Sequence, residues 1–210
     1  MDNKFSITFT FMKRGTLLLL VLFVSYFNAY SQDGETQWLI HNNSANPSAV
    51  WKGFTASVYP LALATPSAIL AYGYLKKDKH YKNVGWYLVG SLAANTIVTQ
   101  GTKYIVNRRR PYLDYPSLIT PYQVDTDPSF PSGHTSTAFA TAAALSIAFP
   151  KWYIVAPAYA WATGVGYSRI KLGEHYPSDV LVGAAVGVGT AYLCNWLNRK
   201  FFNKETGVRR

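Results

Sequence analysis

The chain has 210 residues, enough for one soluble domain or one helical membrane bundle. Hydrophobic residues make up 49 % and charged residues only 14 %, well under the roughly 25 % charge of a soluble domain, so the composition favours a chain whose solvent is largely lipid. The formal charge of +10 is not gathered into one basic tract and needs no nucleic acid, while a single cysteine, Cys194, excludes an internal disulfide and argues against a cysteine-based metal site.

In chain order, Lys13 and Arg14 precede GTLLLLVLFVSYFNAYSQ. Residues 1–31 therefore read either as a signal peptide cut before Gln32 or as a first transmembrane helix, and both carry residue 32 across the membrane. Residues 32–53 form a polar, non-cytoplasmic segment with a loop at IHNNSANPS. Five apolar stretches follow, at 54–75, 84–106, 134–149, 152–167 and 179–197. The first contains Pro60 and Pro66, which would kink it, a disruption that membrane helices tolerate. The third and fourth are short, and alone would read as buried helices of a soluble protein. Their Gly, Ala, Ser and Thr suit close helix packing in a bilayer. The expected fold is all-α, a helical membrane bundle of five or six spans, with a helical domain over 54–198 and a basic cytoplasmic tail over 199–210.

Charge supports that layout. The N-terminus, the 76–82 loop, Lys151 and the tail from Asn198 hold thirteen Lys and Arg against three acids, and the remaining loops hold seven of each. All of the excess positive charge thus falls on alternate loops, as the positive-inside rule requires of a cytoplasmic face. The loops 107–132 and 168–178 then lie outside and carry most of the polar chemistry.

Three segments meet on that outer face. KYIVNRRRP holds Lys103 and Arg110-Pro111; PSGH spans 131–134; SRIKLGEHYPSD holds Ser168, Arg169, His175 and Asp179. Ser132 sits where a helix begins, Gly133 leaves its N–H open to a close ligand, and His134 falls in the first turn, so the helix end forms an anion site. Lys103, Arg110 and Arg169 add three cations suited to phosphate oxygens. His175, four residues before Asp179, gives a nucleophile or base whose tautomer the carboxylate fixes. His134 could protonate a leaving oxygen, and the cations would stabilise the transferring charge without a metal. Simpler roles compete: Ser132 as an ordinary helix cap, Arg108 and Arg109 as a membrane-interface run, Tyr112, Tyr115 and Tyr122 as interfacial anchors. His41 and His80 lack partners at ligand spacing.

These segments resemble the type 2 phosphatidic acid phosphatase (PAP2) and vanadium haloperoxidase superfamily, whose signatures are Lys-x6-Arg-Pro, Pro-Ser-Gly-His and Ser-Arg-x5-His-x3-Asp. All three occur here in order and with matching spacing. The resemblance covers roughly residues 88–197 and, counting the N-terminal span, extends to the six-helix layout of the membrane members. It implies that His175 attacks phosphorus to give a phosphohistidine, that Asp179 orients it, and that His134 protonates the leaving group and then activates water. Lys103, Arg110, Ser132, Gly133 and Arg169 would hold the phosphoryl oxygens, with no metal and no cofactor.

The expected activity is that of an inner-membrane, multi-pass phosphatase whose site faces the periplasm. Its partners would be membrane lipids and a phosphorylated lipid substrate: undecaprenyl pyrophosphate, a lipid A phosphate, phosphatidylglycerol phosphate or phosphatidate. The rivals are a soluble periplasmic acid phosphatase of the same superfamily, a vanadate-dependent haloperoxidase, and a transporter or lipid-phosphate-binding protein without catalysis.

Overall fold

Every regular element among the described residues is helical; the computed structural model describes residues 32–202. The chain divides into two units at Leu39, and the described residues from Leu39 on form one compact unit. The expected signal peptide or first span, and residues 203–210 of the basic tail, lie outside the described residues. The helices are α1 (Gln32–Asn42), α2 (Ala49–Ala56), α3 (Val58–Leu75), α4 (Lys79–Val106), the single turn α5 (Pro111–Asp114), α6 (Gly133–Ala148), α7 (Trp152–Lys171) and α8 (Pro177–Leu197), which runs into a π-helical turn, Asn198–Phe202.

Local chemistry sets the ends that matter. Asp78 caps α4, its carboxylate accepting from the His80 N–H at 2.8 Å and the Tyr81 N–H at 3.4 Å. Asn107 ends the same helix in the left-handed region, with φ 49°, a conformation that Asn adopts more easily than most residues. Pro111 and Pro177 sit in the first turns of α5 and α8, where a missing N–H costs nothing.

Helix α6 is the inner element of the second unit, packed against α8, α7, α4 and α3. Its Thr135, Ser136, Ala138, Ala140, Thr141, Ala142, Ala143 and Ala144 are all buried. Glycines let α8 come this close. A Cβ on Gly187 would stand 2.3 Å from the Ser136 carbonyl oxygen, and one on Gly183 would stand 2.8 Å from that of Ser132. Buried Val84, Tyr87 and Leu88 of α4 join Ala143, Ala144 and Ala191 in one apolar cluster. His80, Ile147, Ala148, Asn195 and Asn198 line a common pocket, so the lysine-bearing turns and the end of α8 share one end of the bundle.

The expectation of five or six spans is not met. Two helices among the described residues are long and apolar enough to cross a membrane, Val58–Leu75 and Pro177–Phe201. Both direct large apolar side chains outward, among them Leu63, Leu75, Leu181 and Trp196. The others fall short for physical reasons. Helix α6 has 16 residues, about 24 Å at 1.5 Å per residue, against a hydrocarbon core of about 30 Å. Its small residues serve helix contacts instead of lipid. Helix α4 has the length, with 28 residues, but carries three lysines and buried Ser91, Asn95 and Thr99. Helix α7 ends on Arg169 and Lys171. The 54–75 stretch is also divided, because Ser57 separates α2 from α3. The loop expected at 40–48 begins only after Asn42.

Candidate active site

The end of α4, the loop entering α6 and the link from α7 to α8 converge at the opposite end of the bundle. After Asn107 the chain has no regular structure until Arg110, which is extended and leads into α5. Arg108 and Arg110 turn inward, whereas Arg109 is 70 % exposed and meets Asp114 at 3.3 Å. On the third segment Gly173 takes φ +70°, a turn in which a Cβ would stand 2.8 Å from the Thr120 carbonyl. The turn delivers Glu174 and His175 into the interior, both buried.

His175 and Asp179 lie one helical turn apart, with Nδ1 3.5 Å from Oδ2. Ser129 stands between them. Its hydroxyl donates to Asp179 Oδ2 at 2.5 Å and lies 3.4 Å from His175 Nδ1. A hydroxyl has one proton. Once that proton is given to the carboxylate, Oγ can only accept from the ring. Both neighbours of Nδ1 are thus acceptors, which places the imidazole proton on Nδ1 and leaves Nε2 with its lone pair. The Tyr176 N–H also donates to Asp179 Oδ2, at 3.0 Å. On the other carboxylate oxygen, Arg108 Nη1 donates to Oδ1 at 2.9 Å and to Ser178 Oγ at 2.7 Å. Its guanidinium lies 3.9 Å from the Tyr176 ring centroid.

His134 occupies the first turn of α6, its ring 4.9 Å from that of Tyr59. It feels the charges of Arg169, Arg110 and Lys103, which locates it over the same cluster. Burial first, and those cations second, bring its pKa from 6.5 down to about 3. His175 is held well below its ordinary range by burial, then by Arg169, Arg110 and Lys103. Both rings are therefore neutral near pH 7. Lys103, Arg110 and Arg169 are almost wholly buried. Lys103 pairs with Asp127 at 2.9 Å, Arg110 with Asp127 and Asp125 at 2.5 and 3.0 Å, and Arg169 with buried Glu174 and the hydroxyl of Thr55. The Lys103 Cε lies 3.9 Å from where a Cβ on Gly133 would stand, so the start of α6 and the lysine adjoin.

The structure gathers all eight expected residues, Lys103, Arg110, Ser132, Gly133, His134, Arg169, His175 and Asp179, at one end of the bundle. It corrects two expectations. Ser132 occupies the cap position of α6 but its hydroxyl makes no cap bond; it accepts from Thr135 Oγ1 at 2.9 Å, while its N–H donates to the Asp179 carbonyl at 3.0 Å. Arg108, expected at a membrane interface with Arg109, is part of the cluster. Ser168 bonds within its own helix, to the Val165 carbonyl at 2.7 Å, and His80 lies at the far end beside Tyr81. Sequence reasoning missed Ser129, Glu174, Asp125 and Asp127. Residue pattern gave no signal for Arg108 or Ser129, because both lie in irregular segments without a period. Among the described residues no group of three or more His, Cys, Asp or Glu could hold a metal ion.

Comparison with known proteins identifies relatives of the chain. The family model described as the PAP2 superfamily matches residues 84–203. A lipid A 1-phosphatase of Porphyromonas gingivalis is 44 % identical over 82 residues, covering 38 % of this chain and 18 % of that protein. A lipid A 1-phosphatase of Rhizobium etli is 34 % identical over 108 residues, covering 50 % of this chain and 46 % of that one. The chain thus spans less than half the length of either. The crystal structure of a transmembrane PAP2-type phosphatidylglycerolphosphate phosphatase from Bacillus subtilis superposes with a TM-score of 0.67 at 19 % identity, covering 89 % of this chain and 96 % of that one, a likeness of fold.

Proposed function

The chain belongs to the PAP2 superfamily, and from that membership we propose that it is a membrane phosphatase that removes phosphate from a lipid phosphomonoester or pyrophosphate without a metal. One observation carries the reading: a buried His175 whose Nδ1 faces the Ser129 hydroxyl and the Asp179 carboxylate, an arrangement that holds the ring neutral with its proton on Nδ1, beside a cluster of buried cations. Such a histidine has a free Nε2 aimed away from its carboxylate, which is what a nucleophile requires.

In the first step Lys103, Arg110, Arg169, Ser132 and the Gly133 backbone hold the phosphoryl oxygens. The Nε2 lone pair forms a bond to phosphorus as the bond to the lipid oxygen breaks. His134 gives that oxygen its proton. The low pKa of His134 does not oppose this role, because a phosphate dianion beside the ring favours the charged imidazolium and raises the pKa in the complex. In the second step a water oxygen attacks phosphorus, His134 takes the water's proton, and the P–N bond returns its electrons to Nε2. The cations act on the charge of the transferring group throughout.

Two considerations support a site at the outer surface of the inner membrane. The helices Val58–Leu75 and Pro177–Phe201 supply apolar length, and the site lies at the end away from Lys76, Lys77, Lys79, Lys82 and Lys151, the positive end expected in the cytoplasm. A lipid A 1-phosphate is the first substrate to test, given the lipid A 1-phosphatases among the relatives. Undecaprenyl pyrophosphate, phosphatidylglycerol phosphate and phosphatidate follow. The experiment is phosphate release from these four lipids by purified protein in detergent. The reading expects release from at least one and a loss of roughly 10⁴-fold in His175→Ala; full activity in that variant would sink it.

A further inference from the structure

The three cations assigned to the phosphoryl oxygens already face oxygens of the protein itself. Asp127 bridges two of them, with Oδ2 2.9 Å from Lys103 Nζ and Oδ1 2.5 Å from Arg110 Nη2. Asp125 Oδ2 lies 3.0 Å from Arg110 Nη1 and 3.7 Å from Arg169 Nη2. Two acids of one loop, two residues apart, thus present carboxylate oxygens to the same forks and ammonium that would grip a phosphate. They approach from the solvent side: the two aspartates are 34 % and 36 % exposed, and the three cations no more than 3 %. Tyr112 steadies the loop, its hydroxyl accepting from the Asp125 N–H and donating to the Asp125 carbonyl.

The charges of the cluster balance. Lys103, Arg108, Arg110 and Arg169 are matched by Asp125, Asp127, Glu174 and Asp179. Glu174 and Asp179 are wholly buried and held by Arg169 and Arg108, so they cannot readily leave. Asp125 and Asp127 can turn out to water. When they do, the cluster carries two uncompensated positive charges, which a phosphomonoester dianion or a pyrophosphate neutralises and a phosphodiester, with one negative charge, does not. A buried charge left without a partner is heavily penalised, so the exchange of carboxylates for ligand is balanced only for the more highly charged ligand.

We propose that Asp125 and Asp127 are specificity-determining residues that occupy the phosphate positions and yield them to a phosphate dianion but not to a phosphodiester. Most lipids of the surrounding bilayer are phosphodiesters with a single phosphate charge, and this pair keeps their head groups off the catalytic cations. The proposal rests on the phosphatase reading for the identity of the phosphate site, but its test does not use hydrolysis.

Purified full-length protein in detergent is titrated by calorimetry at pH 8 with inorganic orthophosphate, a dianion, and with dimethyl phosphate, a diester. The wild type is expected to bind orthophosphate and to exclude dimethyl phosphate. The Asp125→Asn/Asp127→Asn double variant is expected to bind orthophosphate about 10-fold more tightly or better and to accept dimethyl phosphate. A double variant that binds orthophosphate no more tightly, or still excludes the diester, overturns the proposal. If the double variant does not fold, hydrogen exchange on the wild type decides: orthophosphate should speed exchange at the Asp125 amide and its neighbours, and unchanged or slower exchange there overturns it. A chain that binds orthophosphate and excludes dimethyl phosphate, as expected, but releases phosphate from no lipid would refute the phosphatase reading alone. Hydrolysis with unaltered probe selectivity in the double variant would refute this one alone.

Discussion

Ser129 gives its hydroxyl proton to Asp179 across 2.5 Å and so meets His175 Nδ1, 3.4 Å away, as an acceptor. The serine and the carboxylate together fix the tautomer of the ring. Ser129→Ala leaves Asp179 as the single acceptor at Nδ1, at the longer 3.5 Å. We expect kcat to fall by roughly 10–100-fold with KM little changed, because the lost interaction orients a reacting group and does not bind substrate. Ser129→Thr, which keeps the hydroxyl, should recover most of the loss. Steady-state kinetics on the three proteins checks this, and a rise in KM alone would contradict it.

Arg108 and Arg109 should behave as different residues despite being neighbours. Arg108→Gln leaves the buried Asp179 carboxylate without its ion pair, a change that costs about 3 kcal/mol or more. Arg109→Gln removes a surface pair with Asp114 and should stay within about 0.5 kcal/mol of wild type. Thermal unfolding in detergent, with activity measured in parallel, separates the two. Equal and small effects would restore the membrane-interface role for both.

Acid should destabilise the fold through His134. Its pKa is about 3 in the folded chain against an ordinary 6.5. As pH falls below about 6.5 the unfolded chain takes up the proton first. The contribution is therefore fully present above that pH and is lost progressively toward pH 3, at up to about 1.4 kcal/mol per pH unit. His134→Asn removes this proton linkage. Its melting temperature should fall less than that of the wild type between pH 6.5 and pH 5, and parallel curves would contradict the assignment.

Close approach of α8 to α6 gives a stability test. In Gly187→Ala the new methyl would meet the Ser136 carbonyl at 2.3 Å. Overpacking of this kind costs about 1–3 kcal/mol, more than the gain of about 1 kcal/mol from replacing a helical glycine by alanine. Gly189→Ala, with nothing within 4 Å, should be neutral or stabilising. The difference in melting temperature between these two variants is the measurement.

Much of this was legible in the sequence where the controlling physics is local. Asp78, Asn107 and Pro177 act on the backbone beside them, and the helices they bound fall close to the apolar stretches read from residue pattern. The three signatures likewise named residues that the fold gathers. The number of spans was not legible in the same way. The Ala- and Thr-rich run of α6 reads identically whether it faces lipid or other helices, and only its neighbours on α4, α7 and α8 decide. Side-chain direction in irregular loops was equally hidden. Nothing in DTDPSFPSGH announces that Ser129 turns to Asp179 while Asp125 and Asp127 turn to Arg110, because a loop without period has no face to predict.

The proposed mechanism requires that His175 become covalently phosphorylated. The most direct measurement is rapid mixing of the purified protein with a ³²P-labelled lipid phosphomonoester that it hydrolyses, followed by an alkaline quench, which preserves a phosphorus–nitrogen bond, and identification of the labelled peptide. The account predicts transient, acid-labile label on the peptide containing His175 and none in His175→Ala. Turnover by the wild type with no label on that peptide at any quench time, or label that persists in His175→Ala, would contradict it.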